Sequence, residues 1–96
     1  MTKTRDRAYA NVFDAIEDAP AERENMKLRA SLMVELVRHM KRAKLTQKDA
    51  ASVFGVTQPR ISDLTRGKID LFSLDTLVNM VAAAGLHVDM KIRKAA

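Results

Sequence analysis

Residues 46–67 read TQKDAASVFGVTQPRISDLTRG, and their spacing decides the fold. Thr46 stands where an N-cap is needed, just before the run Gln47–Val53, and its hydroxyl can accept one of the orphan amides of a first helical turn. Asp49, three residues on, is a short-armed version of the capping-box acid. Gly55 supplies the positive φ that ends this helix. Thr57 repeats the cap for a second helix that reaches Arg66, with Gly67 past its end. Pro59 is tolerated in that first turn, which needs no internal amide donor. Val56 and Ile61 make a hydrophobic staple across the same start. Counted from Gln47, Ala51 falls fifth, Gly55 ninth, Ile61 fifteenth and Leu64 eighteenth. A small residue is needed where two helices cross closely, a glycine at the sharp turn, and two apolar anchors where the second helix meets the first. An ordinary helical hairpin with a glycine turn would not require the whole set, so the spacing predicts a helix-turn-helix.

The outward residues of that motif suit DNA. With Ile61 and Leu64 facing inward, Pro59, Ser62, Asp63 and Arg66 face outward, and Thr57 and Gln58 lie at the leading end. The leading end of the second helix is the part that enters the major groove. A glutamine amide there can bond an adenine edge in bidentate fashion, which makes Gln58 the candidate base reader. Gln47 opens the preceding helix, whose free amides point at phosphate. Arg60, Arg66 and Lys68 are candidates for phosphate or guanine, and Lys48 and Lys44 for the flanking backbone. The expected DNA-facing set is therefore Gln47, Lys48, Thr57, Gln58, Pro59, Arg60, Ser62, Arg66 and Lys68. Asp63 is awkward beside phosphate: it either accepts from a cytosine amino group or pairs with Arg60 or Arg66.

Upstream, the stretch from Ala21 to Lys44 contains no Gly or Pro. Met26, Ala30, Met33, Val37 and Met40 repeat at helical spacing, and Leu32, Leu36 and Ala43 widen the same face. This predicts one amphipathic helix of about six turns. Arg29 falls inside the stripe, where a snorkelling or paired arginine is expected. Pro20 is expected to break this helix from residues 1–20, an N-terminal arm carrying Tyr9, Val12, Phe13 and Ile16. Downstream, Ser73 caps a further helix to Ala84, with Phe72 and Leu77 as its staple and Gly85 at its stop. The period then changes: Leu86, Val88, Met90 and Ile92 alternate with His87, Asp89, Lys91 and Arg93, the pattern of a half-buried β-strand. A single strand leaves its ladder groups unpaired. Its partner is either the same strand of a second subunit about a two-fold axis, with Leu86, Val88, Met90 and Ile92 at the dimer interface, or the N-terminal arm folded back. The expected architecture is mainly α. It is a small bundle of about four to five helices containing the helix-turn-helix, plus one C-terminal β-strand paired in a dimer. Residues 1–20 form an arm and 21–96 the DNA-binding domain with its dimerisation strand.

Composition bounds the same answer. Ninety-six residues make one domain. A domain of this size buries only roughly 60–65% of its unfolded surface, so a dimer would add core. The chain is 47% hydrophobic but only 4% aromatic, which suits a helical domain with an aliphatic core. The absence of cysteine excludes disulfides and thiolate metal sites and is compatible with the cytoplasm, the expected compartment. No apolar run spans a bilayer, and MTKTRDRAY lacks the apolar core of a secretory signal. The net charge of +5 is unevenly placed: residues 1–25 carry four basic and six acidic side chains, and the rest thirteen basic and six acidic. A body at +7 suits a polyanion, and an N-terminal stretch 1–25 at −2 suits a basic partner.

The motif resembles the phage-repressor-like, or XRE-type, helix-turn-helix family. In those repressors glutamines at these two positions cooperate, one on the backbone and one on the base, and the resemblance implies the same for Gln47 and Gln58. From about Asn11 to Arg93 the chain is also similar to the small XRE-type antitoxins of HigA-like toxin–antitoxin pairs. The most specific block is Arg66–Gly67–Lys68 followed by Phe72–Ser73–Leu74–Asp75 and Leu77. The resemblance implies a homodimer that binds an inverted-repeat operator in double-stranded DNA, represses its own operon and neutralises a RelE-like ribonuclease toxin. Tyr9, Val12, Phe13 and Ile16 would then be a toxin-binding helix face, or else would pack on the protein's own core.

No catalytic constellation is expected. His39 and His87 lack carboxylates at ligand spacing, and Gly55, Gly67 and Gly85 each end a helix rather than form a phosphate loop. The reading is of a protein that is not an enzyme, with no cofactor, no metal and no membrane. Its competitors are a stand-alone repressor without a toxin and an interaction module that has lost DNA binding.

Overall fold

The four α-helices among the described residues all end in the same way, and those endings set the path of the chain. The structure, a computed structural model, describes residues 9–95, with side chains from residue 19 onward. Helix α1 runs Tyr9–Arg42, α2 Gln47–Phe54, α3 Gln58–Thr65 and α4 Leu74–Ala83, with a 3-10 turn at Ile69–Leu71 between α3 and α4. Just beyond each helix one residue takes a left-handed φ: Lys44 at 55°, Gly55 at 71°, Gly67 at 70° and Gly85 at 76°. The next amide then donates five residues back. Leu45 N reaches Met40 O at 2.9 Å, Val56 N reaches Ala51 O at 3.0 Å, Lys68 N reaches Asp63 O at 3.1 Å and Leu86 N reaches Val81 O at 3.0 Å. These are Schellman closures, which satisfy carbonyls that the helix itself leaves open.

At Gly55 the left-handed turn costs nothing, and a Cβ built there would meet only the Ala83 methyl at an ordinary 3.7 Å. Lys44 fills the same role with a side chain attached, at a cost of about 1 kcal/mol. Lys44→Gly should therefore stabilise the fold by about 1 kcal/mol. The check is a raised urea midpoint at unchanged m-value, and a lowered midpoint would mean that the lysine side chain contributes more than the strain costs.

The three expected caps are in place. Thr46 Oγ1 accepts from Asp49 N at 3.0 Å, Thr57 Oγ1 from Arg60 N at 3.3 Å and Ser73 Oγ from Thr76 N at 3.1 Å. The helices so defined close around one core: Met33, Leu36 and Met40 of α1, Ala50 and Phe54 of α2, Ile61 and Leu64 of α3, Phe72, and Leu77, Met80 and Val81 of α4. Helix α2 packs on α3, and α4 lies against both α1 and α2. No polar or charged side chain is buried among the described residues.

Four expectations need correction. Helix α1 does not start after Pro20 but runs through it. The proline removes one amide donor, a local loss, and the good helix formers Ala19, Ala21 and Glu22 flank it. The apolar stripe of α1 is also shorter than its periodicity suggests: Met26 is 44% exposed and Ala30 is exposed, because the bundle begins to cover α1 only near Arg29. Within the motif, Ala50 is the fully buried alanine, and Ala51 is half-buried against the core. Finally, among the described residues there is no strand, and residues 86–95 have no regular structure. One chain offers that segment no ladder partner. Val88 instead packs against the core, and Leu86–Asp89 line a groove of about 340 Å³ beside Leu32, Glu35 and Leu36 of α1. No helix is long and apolar enough to cross a membrane, among the residues described.

Candidate nucleic-acid interface

Two successive helix N-termini stand open to solvent. Gln47 and Lys48 begin α2 directly after the Thr46 cap, and both are exposed. Gln58 and Pro59 begin α3 directly after the Thr57 cap, and these too are exposed. The cap bond occupies the acceptor side of the Thr57 hydroxyl, while its proton remains available to donate, which is what a phosphate oxygen requires. The first amides of each helix are open donors at the positive end of a helix dipole.

The depth of α3 is set from behind. Ile61 is fully buried and Leu64 nearly so, and both belong to the core formed with α1, α2 and α4. Burying two such aliphatic side chains contributes roughly 3–6 kcal/mol. The opposite face is left polar: Ser62 is half-buried, and Arg66 and Lys68 are exposed with no ion pair among the described residues. Lys44, two residues past the end of α1, and Lys48 add cations that flank the start of α2 in sequence. His39, Lys41 and Arg42 occupy the last turn of α1, where the charges of Lys41 and Arg42 also complement its dipole.

Two residues of the motif behave differently from their neighbours. Asp63 lies 3.9 Å from Arg60 Nη1, so its charge faces an arginine on its own helix. Arg60 is half-buried and donates from Nη1 to the Leu71 carbonyl at 3.0 Å. Its guanidinium sits 5.4 Å from the centroid of the Phe72 ring. One guanidinium nitrogen of this candidate DNA contact is thus engaged by its own chain, while the side chain stays partly exposed. Sequence spacing places Arg60 on α3 but carries no sign of Leu71 and Phe72, which come from the turn beyond.

Of the other sequence candidates, Leu86, Met90 and Ile92 are exposed and Val88 is partly covered. Tyr9, Val12, Phe13 and Ile16 lie on the first turns of α1, and their side chains fall outside the described residues. His39 is half-buried, and its ring lies 6.1 Å from that of Phe54, tilted by 44°. His87 stays exposed, 3.5 Å from Asp89. No cluster of His, Asp or Glu among the described residues is placed to hold a metal ion.

Comparison with known proteins agrees with this geometry. Residues 15–93 match a family described as "Helix-turn-helix domain". One solved structure, provisionally designated an XRE family transcriptional regulator, superimposes with a TM-score of 0.70 at 31% identity, covering 77% of this chain and 83% of that one. No curated protein matches.

Proposed function

The chain belongs to the XRE-type helix-turn-helix family, and on that premise we propose that it is a sequence-specific transcriptional repressor that also acts as the antitoxin of a ribonuclease toxin. The observation that carries the DNA half is the pair of capped, exposed helix starts at Thr46–Gln47 and Thr57–Gln58, joined by the Gly55 turn. One start grips phosphate and the other carries Gln58 to a base edge. The similar structure's designation as a transcriptional regulator supports the same reading.

Substitution separates the two roles. Gln58→Ala should cost roughly 1–3 kcal/mol at the preferred site and leave binding to random DNA unchanged. Lys68→Ala should weaken all sequences alike and make the dependence of affinity on salt shallower by about one unit of slope. Equal losses on specific and random DNA for Gln58→Ala would remove it as the base reader.

The antitoxin half rests on the resemblance of Arg66–Lys68 and Phe72–Leu77 to the HigA-like proteins and on the acidic balance of residues 1–25. A RelE-like toxin holds RNA and so is basic, which suits a partner segment that carries net −2 over residues 1–25. Residues 1–20 would supply Tyr9, Val12, Phe13 and Ile16 as the contact face, laid in a groove of the toxin. A chain lacking residues 1–18 should keep operator affinity and fail to rescue cells that express the toxin. Rescue by the truncated chain would move toxin binding elsewhere. The second reading is a stand-alone repressor, which fits the similar structure's designation as a transcriptional regulator. Co-expression with the neighbouring open reading frame, followed by co-purification, decides between them.

A further inference from the structure

We propose that Arg60 sets the tilt of α3 in the DNA groove, as one half of a two-arginine clamp on the 3-10 turn, and is not a ligand of phosphate. The proposal rests on the DNA-binding reading above and deepens it.

The turn Ile69–Leu71 is held from both sides. Arg60, on α3, donates from Nη1 to the Leu71 carbonyl at 3.0 Å, across 11 residues of chain. Arg29, on α1, donates from Nη1 to the Ile69 carbonyl at 3.1 Å, across 40 residues. Arg29 is itself fixed by its Nε, which donates to Asn25 Oδ1 at 2.6 Å. A turn of three residues thus has its first and last carbonyls each taken by a guanidinium, one from the helix that carries the bundle and one from the helix that reads DNA. The Arg60 guanidinium further lies over the ring of Phe72, which is buried in the core, with Asp63 beside it.

These contacts do something that the apolar anchors of α3 cannot. Ile61 and Leu64 are buried by a force without direction, so they fix how deep α3 sits but only weakly how it is rotated. A hydrogen bond is directional, and this one is made from the first turn of α3, two residues from Gln58. A planar fork is needed to bond the carbonyl while its face covers the ring, and lysine offers no such plane. If the clamp loosens, α3 tilts and Gln58 leaves its base edge. Contacts between flexible lysines and phosphate survive such a tilt. The clamp therefore governs specific binding and leaves non-specific binding alone.

The test uses the full chain and two probes: the tightest duplex from a random-sequence selection and a shuffled version of it. Affinities for both are measured over a salt series for the unaltered protein, Arg60→Gln, Arg60→Lys and Arg29→Gln, with thermal melts to establish folding. Both Arg60 variants are expected to lose about tenfold or more on the selected duplex, to stay within about twofold on the shuffled one, and to keep the salt slope. Arg29→Gln should reproduce the loss in milder form, since it holds the same turn from α1. Should Arg60→Gln melt below the assay temperature, Arg60→Lys carries the comparison, because a phosphate ligand tolerates lysine and a planar clamp does not. Equal weakening on both duplexes with a shallower salt slope, or full activity of Arg60→Lys, overturns the proposal. Failure of the unaltered protein to bind DNA in a salt-dependent way overturns the DNA-binding reading itself, whatever the variants do.

Discussion

A chain carrying Met90→Glu and Ile92→Glu is expected to sediment as a folded monomer and to bind an inverted-repeat operator at least about a hundredfold more weakly than the unaltered protein. The expectation follows from what the fold leaves uncovered. Met90 is 67% exposed and Ile92 90%, so neither contributes to the core of its own chain. Leu86 lies on the same alternation, and Val78 of α4 is exposed as well. The backbone of residues 86–95 has no ladder of its own. Pairing this segment with its two-fold mate would satisfy those groups, cover the apolar side chains and join two reading heads. The heads would then meet half-sites separated by roughly 34 Å or a multiple of it. Val88 is the wrong residue to charge, although it has the same sequence periodicity, because it packs on the core and its loss would damage the monomer. Sedimentation of the double variant as an unchanged dimer would remove the tail from the interface. A monomer with undiminished affinity would mean that one reading head is enough.

The parts of this fold that were legible in the sequence are those whose chemistry is local. A threonine or serine before an apolar run, and a glycine after it, act within four residues of chain, so Thr46, Thr57, Ser73, Gly55, Gly67 and Gly85 could be read directly. The open helix starts with Gln47 and Gln58 followed from them. Lys44 was not legible as a helix terminator, because nothing in a lysine announces a left-handed φ; the five-residue bond from Leu45 to Met40 imposes it. Proline is a strong local signal and gave the wrong boundary, since a helix can accept a missing amide when residues on both sides favour it. Periodicity overstated the core at Met26 and Ala30, because it records which face is apolar and not how far the partner elements extend. Arg29 could be read as snorkelling or paired and Arg60 as a partner of Asp63, but their carbonyl acceptors 40 and 11 residues away could not, because a carbonyl has no side-chain signature.

The other large effect concerns the core itself. Phe54→Ala is expected to cost about 3–5 kcal/mol and to lower the melting temperature by roughly 15–30 °C. Phe54 is the last residue of α2 and is 1% exposed, with the His39 ring of α1 6.1 Å away and the Gly55 turn next in the chain. Its fully buried companions are Phe72, Leu36, Ile61, Leu64, Leu77 and Met80, each already held in the packed core, so the vacated space is filled only at the cost of repacking them. A domain of this size is stable by about 5–14 kcal/mol, so the loss is a large share of the whole. Dimerisation would mask part of it, because association adds stability that rises with protein concentration. The measurement is therefore best made in the Met90→Glu, Ile92→Glu background, by urea unfolding at two protein concentrations. A concentration-independent loss of 3 kcal/mol or more would place Phe54 at the centre of the bundle, where it joins α1 to the turn that orients α3. A loss below about 1 kcal/mol would mean that the bundle collapses onto the vacated space, and that Ile61 and Leu64 hold α3 without it.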